Sequence, residues 1–282
     1  MYHKDKYEVY RTDAKNKNGK IDMERAVWDK NESKHIYTDI DTDTIEYRTE
    51  EAIKNENSFC LDLKGMKLDI MPNINKHVDK KKIICLFLND NIFTSLADLS
   101  IFENLEVLDI ANNKINHIGF LPKKLLELNC SDNELTQLPP ATQLHILVRL
   151  NCSNNKIINI PHYLKLTHLI CDMNKITNLK EYDELEFLNC SDNKIEDIHD
   201  YKKLKTLIIN NNPIRTFPNF EKLLFIEFYD TLVTALPYMP ELKEVFCSND
   251  ITKQIANEYM ANKECEVALV KKKTLHIYFY KK

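Results

Sequence analysis

The chain has little glycine: only Gly19, Gly65 and Gly119 occur among 282 residues. A phosphate-binding loop needs several glycines close together, because only glycine lets the backbone approach the anion closely. No two of these glycines are near enough to share such a loop, so the sequence excludes nucleotide binding of the Walker or Rossmann type. The heavy use of Asn, Lys and Ile instead is typical of AT-rich genomes, such as those of protists or large DNA viruses.

The sequence also lacks long apolar runs and a dominant charge. No stretch approaches the roughly 18 apolar residues of a membrane span, and the charged N-terminus is unlike a secretory signal. Lys and Arg number 39 against 43 Asp and Glu, which gives a net charge of −4. This balance disfavours nucleic acid as a partner, because such binding relies on clustered Lys and Arg. We therefore expect no nucleic-acid partner and no membrane partner.

Motifs for catalysis or metal binding are missing as well. The nine histidines form no H-E-x-x-H, and no G-x-S-x-G occurs. A calcium loop built around Gly19 would place Ala14 and Arg25 at ligand positions, so it is excluded. His168, Arg149 and Asp172 could meet on one sheet face, but an open sheet cannot exclude water from them. We expect no enzyme activity, no cofactor and no metal.

A repeat dominates what is present. The frame L-x-x-L-x-L-x-x-N-x-L is clearest from Leu105 onward and has an earlier copy that begins at Ile83. Its period is 19 residues after residue 155 and 20–25 residues before it. Degraded copies lie near residues 61–71, 223–236 and 242–250. Seven copies carry the asparagine, and these form a predicted structural ladder: Asn91, Asn113, Asn133, Asn155, Asn174, Asn193 and Asn212.

This motif resembles the leucine-rich-repeat family over roughly residues 58–250. The resemblance implies an α/β solenoid, a right-handed coil with a parallel β-sheet on its concave side. Because the motif uses most of each 19-residue copy, about five residues remain for the return path, too few for a stable α-helix. We therefore expect short turns or 3₁₀ segments on the convex side. The motif is specific for the fold and does not identify a ligand.

Five cysteines occupy one inward position of the frame: Cys130, Cys152, Cys171, Cys190 and Cys247. A column of small hydrophobic side chains in the core explains them. The alternative is a metal site or a disulfide ladder, but no C-x-x-C pair supports zinc binding. The absence of paired spacings and of a signal predicts a reducing, intracellular location.

The two ends carry no repeat and are predicted to be caps, because the open faces of terminal repeats are apolar. Residues 1–57 form the N-terminal cap, with a hairpin turn at Asn18 and Gly19 and strands within residues 35–47. Residues 58–250 form the solenoid of about ten repeats. Residues 251–282 form a C-terminal cap, a helix over residues 251–263 followed by a hairpin.

Function is expected on the outward face of the sheet. Large apolar side chains from five successive repeats gather there, and we name them the outward apolar patch: Ile170, Phe187, Ile208, Phe225, Tyr229 and Phe246. Exposed apolar patches and aromatic anchors are typical of interfaces. They predict a non-catalytic scaffold that binds a protein on its concave face. The open alternatives are that the patch is incidental to a drifting repeat, or that the C-terminal cap covers it.

A second functional reading keeps the fold and changes the role. The chain could be a structural or adaptor component of a larger assembly, including an adaptor that recruits substrates to a ligase or phosphatase. Aspartates along one edge of the sheet fit solvated turns or, alternatively, an acidic rail for a basic partner segment: Asp90, Asp132, Asp172, Asp192 and Asp230. The exposed Asp172 is expected to contribute little to stability.

Overall fold

A computed structural model describes residues 9–10, 59–71, 79–247, 265–271 and 275–281. The predicted turn at Gly19, the strands within residues 35–47 and the helix over residues 251–263 lie outside the described residues. The chain divides into two compact units, Met1–Asn133 and Glu134–Lys282. No helix in the described part is long and apolar enough to cross a membrane.

The first unit contains a parallel sheet formed mainly by one strand from each repeat. The strands of this unit are β1 (Val9–Tyr10), β2 (Phe59–Asp62), β3 (Ile83–Phe87), β4 (Ser95–Leu96), β5 (Val107–Asp109), β6 (His117–Ile118) and β7 (Glu127–Asn129). Strands β1, β2, β3, β5 and β7 pair in that order, all parallel. A short 3₁₀ helix at Lys80–Lys82 precedes β3.

A second, two-stranded sheet in this unit was not predicted. Strands β4 and β6 pair in parallel, with Leu96 beside Ile118. The Gly119 amide donates a hydrogen bond of 2.9 Å to the Leu96 carbonyl. A Cβ atom on Gly119 would lie only 2.8 Å from that oxygen, so the close approach of the two strands requires glycine.

The second unit repeats the parallel arrangement and ends differently. Its strands are β8 (Arg149–Asn151), β9 (His168–Ile170), β10 (Phe187–Asn189), β11 (Thr206–Ile208), β12 (Phe225–Glu227), β13 (Glu244–Cys247), β14 (Cys265–Lys271) and β15 (Leu275–Lys281). Strands β8 to β13 pair in parallel in chain order. Strand β15 then pairs antiparallel with β13, and β14 pairs antiparallel with β15.

The units are parallel-sheet β-solenoids, which confirms the fold predicted from the repeat. The described residues contain no α-helix, so the fold has less helix than the label α/β suggests. The short return path explains this, since so few residues cannot close a stable helix.

Each repeat strand is only three or four residues long and alternates between the two faces of its sheet. In β10, Leu188 is fully buried, whereas its neighbours Phe187 and Asn189 are half-buried on the outward face. The next inward residue, Cys190, is also fully buried. The five cysteines of the predicted inward column are all buried, and none of them is part of a disulfide. Burial raises the pKa of the Cys171 and Cys190 thiols, so both stay protonated at neutral pH.

The asparagine ladder joins each turn to the preceding repeat. The Asn193 amide nitrogen donates to the carbonyls of Cys190 and Ser191 in its own repeat, and to that of Cys171 one repeat earlier at 3.0 Å. Its side-chain oxygen accepts the Ile176 amide at 2.9 Å. The same four bonds form at Asn91, Asn113, Asn133, Asn174 and Asn212. The Asn155 amide nitrogen donates to the carbonyls of Cys152 and Ser153 in its own repeat, and its side-chain oxygen accepts the Leu135 amide.

Tyrosines form a second ladder on the return side, which the repeat frame did not predict. Tyr163, Tyr182 and Tyr201 are at most 3% exposed. Their hydroxyls donate to carbonyls of the preceding repeat: Tyr163 to Pro139 at 2.6 Å, Tyr182 to Pro161 at 3.3 Å and Tyr201 to Lys180 at 3.0 Å. The 19-residue spacing of these tyrosines was the available signal.

One residue in almost every repeat adopts a left-handed backbone conformation at the end of the strand. These residues have φ between 49° and 58°: Lys67, Asp90, Asn112, Asp132, Asn154, Met173, Asp192, Asn211 and Asp230. Asp and Asn tolerate this conformation better than other non-glycine residues. The predicted acidic edge therefore has a backbone explanation at Asp90, Asp132, Asp192 and Asp230. Lys67 and Met173 do not fit this rule; Met173 has a φ of 54° and is 52% exposed.

We predict that Asn174→Ala lowers the free energy of unfolding by about 1–3 kcal/mol, because it leaves buried backbone groups without partners. Urea denaturation would measure the change. Lys175→Ala is the matched control, since its exposed side chain should contribute less than about 0.5 kcal/mol. Asp172 is unsuitable as a neutral control, contrary to the sequence-based expectation, because its carboxylate accepts bonds from Ser153 and Asn189. Equal effects at residues 174 and 175 would contradict the ladder's role.

We predict that Met173→Asn raises the free energy of unfolding by about 1 kcal/mol, because asparagine relieves the left-handed backbone strain. The reverse exchange, Asn211→Met, should lower it by a similar amount. Thermal or urea denaturation of both variants would test the pair. A destabilised Met173→Asn protein would show that methionine is structurally preferred there.

Candidate functional site

The strand register of the second unit arranges outward side chains in two columns. The first runs through Arg149, His168, Phe187, Thr206, Phe225 and Glu244. The second runs through Asn151, Ile170, Asn189, Ile208, Glu227 and Phe246. The apolar members alternate between the columns from β9 to β13. Ile170, Ile208 and Phe246 lie in the second column, whereas Phe187 and Phe225 lie in the first.

The six residues of the outward apolar patch are half-buried, although the sequence analysis treats them as exposed. Neighbouring strands lie only about 4.8 Å apart, so adjacent side chains cover one another's flanks. The rings of Phe225 and Phe246 have centroids 5.0 Å apart. Asn189 and Glu227 interrupt the second column, so the patch is a staggered row and not a continuous apolar surface.

His168 extends the patch along the first column, next to Phe187. Its ring stacks on Phe187 with centroids 5.9 Å apart, and its Nδ1 lies 2.9 Å from the Thr167 hydroxyl. Burial, helped by the nearby Arg149 charge, lowers the pKa of His168 below its ordinary value of 6.5. The imidazole is therefore mainly neutral at pH 7 and behaves as part of the apolar surface.

Tyr229 follows strand β12 and lies near the charged side chain of Glu227. Its backbone amide donates to the Asn210 side-chain oxygen at 2.7 Å. Burial, followed by the charge of Glu227, raises the pKa of the Tyr229 hydroxyl. The phenol is therefore a neutral hydrogen-bonding group at physiological pH.

The repeat position that forms the second column has a structural preference, in both units, that the sequence frame did not reveal. In five repeats its residue is Asp or Asn, and the side-chain oxygen accepts the backbone amide two residues later. These residues are Asp62, Asp109, Asn129, Asn151 and Asn189, with distances of 2.9–3.3 Å. This local bond closes the end of the strand. Apolar residues at the same position cannot form it.

Phe87 occupies this position in the first unit and is buried, whereas Ile170, Ile208 and Phe246 occupy it in the second unit and are half-buried. None of these four side chains has an oxygen that could accept the amide. In the Ile208 repeat, the Asn210 amide donates instead to the Ser191 hydroxyl of the preceding repeat, at 3.2 Å. The apolar side chains therefore replace residues that support the local backbone.

Carboxylates border the patch where the strands end. Three of them accept hydrogen bonds from uncharged donors. Asp172 accepts from Ser153 and Asn189, Asp192 accepts from Asn211, and Glu227 accepts from Asn210. Among the residues that the structure describes, no Lys or Arg forms an ion pair with these three or with Asp230. Arg149 begins strand β8 and Lys205 directly precedes strand β11, so both lie at the opposite ends of the strands. Lys205 pairs with Glu186 at 2.7 Å.

The first unit presents a different outward face, because its polar side chains are buried. Asp62, Asp109 and Glu127 are 7%, 5% and 6% exposed. Burial raises the pKa of Asp109 to about 6, despite hydrogen bonds from Ala111 and Asn129 that lower it. Two further outward residues, Cys60 and Cys85, are register partners and free thiols.

We predict that Asp109→Asn raises the free energy of unfolding at pH 7 by roughly 2 kcal/mol, because it removes a buried carboxylate. The folded-state pKa is raised, so the stabilisation from the protonated form is complete below about pH 4. It is lost as the pH rises through about 6. Urea denaturation at pH 4 and pH 7 should therefore show a variant advantage that grows with pH.

The control for Asp109→Asn is Asp98→Asn. Hydrogen bonds from Ser100 lower the pKa of this exposed carboxyl, so its contribution is present at neutral pH and is lost on acidification. The two variants should thus shift the pH dependence in opposite directions. A pH-independent effect of Asp109→Asn would show that Asp109 is not protonated near pH 6.

No metal-binding cluster accompanies the patch in the described part of the chain. No group of three or more His, Cys, Asp or Glu side chains there is placed to hold a metal ion. The Nδ1 atom of His168 lies 2.9 Å from the Thr167 hydroxyl, and the Asp172 carboxylate accepts hydrogen bonds from Ser153 and Asn189.

Comparisons with known proteins identify the fold. No protein-family model matches the chain, and no curated protein is similar to it in sequence. Among solved structures, YopM from Yersinia enterocolitica is similar with a TM-score of 0.57 and 21% identity over 71% of this chain. A leucine-rich-repeat protein of Leptospira interrogans is similar with a TM-score of 0.54 and 24% identity over 60% of this chain. The chain has the leucine-rich-repeat fold.

A third structure with this fold is the functional domain of InlJ from Listeria monocytogenes, which includes a cysteine ladder. It matches with a TM-score of 0.50 and 23% identity over 69% of this chain. The matched regions span 50% of the Leptospira chain, 50% of YopM and 54% of the InlJ domain. At these identities the likeness establishes architecture and leaves the ligand open.

Proposed function

We propose that this protein is a non-catalytic interaction scaffold and that it binds a partner protein through the outward apolar patch of its second unit. The observation that carries the proposal is the identity of the second-column residues. Where five repeats use Asp or Asn to bond the backbone, the patch has Ile170, Ile208 and Phe246. Side chains that give up a local bond without entering the core are best explained by contact with another molecule.

Two features of the β9 repeat support the same conclusion. Ile170 replaces the residue that closes the strand, and Met173 occupies the left-handed position that holds Asp or Asn in the repeats of Asn154, Asp192, Asn211 and Asp230. Both exchanges place apolar groups on or beside the outward face. Backbone strain held at an exposed apolar side chain is typical of a binding site.

The buried cysteines support a structural role for the inward column. Cys152, Cys171 and Cys190 occupy the same position in successive repeats and have no exposed surface. We assign them to core packing, which is compatible with the cysteine ladder of the InlJ domain. Cysteines that form no disulfide in the described residues also favour a reducing, intracellular setting.

The double variant Ile170→Asn/Ile208→Asn tests the proposal without removing structural support. Asparagine already occupies the equivalent positions 151 and 189, where its side chain bonds the backbone. The free energy of unfolding should therefore change by less than about 1 kcal/mol. Loss of two apolar anchors should weaken partner capture at least about 10-fold, as measured by quantitative mass spectrometry after affinity purification from the native cell.

Leu164→Asn is the matched control for that experiment. Leu164 is 60% exposed and lies outside the strands, so the same kind of exchange there should leave capture unchanged. An identical set and yield of captured proteins from the wild type and the double variant would show that the patch does not bind the partner.

A further inference from the structure

We propose that the patch accepts a polypeptide segment in which apolar side chains are flanked by Lys or Arg. This inference rests on the proposed function and specifies the chemistry of the partner. The apolar residues supply the anchoring surface, and the carboxylates at the strand ends select the charge of what lies beside the anchors.

The distribution of charge across the face supports this choice. After each of the strands β8 to β12, the outward residue is Ser153, Asp172, Ser191, Asn210 or Tyr229. The left-handed residue that follows is Asn154, Met173, Asp192, Asn211 or Asp230. Neither series contains a basic residue, so every formal charge in them is negative. A segment crossing this border meets only carboxylates, amides, hydroxyls and one thioether.

The hydrogen bonds on these carboxylates leave their charge in place. Asp192 accepts from the Asn211 amide at 2.8 Å, and Glu227 accepts from the Asn210 amide at 2.6 Å. Amides orient a carboxylate without neutralising it. A Lys or Arg from a partner would provide the missing counter-charge and would form a charge-assisted bond.

The spacing of the anchors sets the size of the segment. Ile170, Ile208 and Phe246 lie two strands apart in sequence, which corresponds to about 10 Å between successive anchors. The whole row spans about 19 Å. Six extended residues or about thirteen helical residues cover this length. A partner phosphate backbone would instead be repelled by the carboxylate border.

Selection from a library of random 16-residue peptides against the immobilised full chain tests the inference. Selected peptides should combine aromatic or aliphatic residues with Lys or Arg. Their affinities, measured by fluorescence anisotropy, should fall roughly 2- to 10-fold for Asp192→Asn/Asp230→Asn. Asparagine fits both backbone positions, as Asn154 and Asn211 show. Asp183→Asn, at an exposed site outside the strands, is the charge-matched control and should change nothing.

Ionic strength gives an independent readout. Raising the salt concentration should weaken binding to the wild type more than binding to Asp192→Asn/Asp230→Asn, because screening acts on the carboxylates that the variant lacks. A fluorescent single-stranded RNA of similar length should not bind either protein, and binding of that RNA would overturn the inference.

The outcomes separate this inference from the proposed function. Peptides that need Ile170 and Ile208 but are acidic, uncharged or unaffected by Asp192→Asn/Asp230→Asn would overturn the charge preference and leave the patch as a binding site. Failure to select any peptide would also overturn the proposal that the patch accepts a linear basic segment. Peptides that bind Ile170→Asn/Ile208→Asn as tightly as wild type would count against both proposals.

Discussion

The structure depends on the hydrogen bonds of the ladder asparagines. A three-residue strand leaves most backbone groups of a repeat outside the sheet, and those groups are buried as the chain turns away. One amide side chain provides three donor contacts to carbonyls and accepts an amide proton of the preceding repeat, as at Asn193. This arrangement satisfies the turn and fixes the position of each repeat on its neighbour. The parallel register follows from it, and the outward columns follow from the register.

Several features could be predicted from the sequence because they follow directly from period and alternation. The spacing of Asn174, Asn193 and Asn212 defines the turn, and alternation about Leu188 assigns the inward and outward side chains. The frame therefore predicted the sheet and the burial of the cysteine column. It also assigned the outward columns, whose use in binding stays a prediction.

Other features depend on distances that no spacing reveals. The strand-closing bond of Asn189, the phenol bonds of Tyr182 and the close approach at Gly119 all join side chains or backbone atoms across specific gaps. The half-burial of Phe225 depends on how closely the neighbouring strands approach. These bonds also reveal that Ile170 and Ile208 occupy positions with a structural preference for Asn, information that the hydrophobic pattern alone does not contain.

The ladder bonds between repeats reach only one repeat back. This limits which insertions and deletions such a chain can tolerate during evolution. A segment of 19 residues can be duplicated or lost between equivalent asparagines while every remaining amide still finds the same partners. The tyrosine hydroxyls obey the same nearest-neighbour rule, so the return side would also be preserved. Length is thus free to vary in whole repeats, whereas insertion of a few residues within a turn would interrupt both ladders at once.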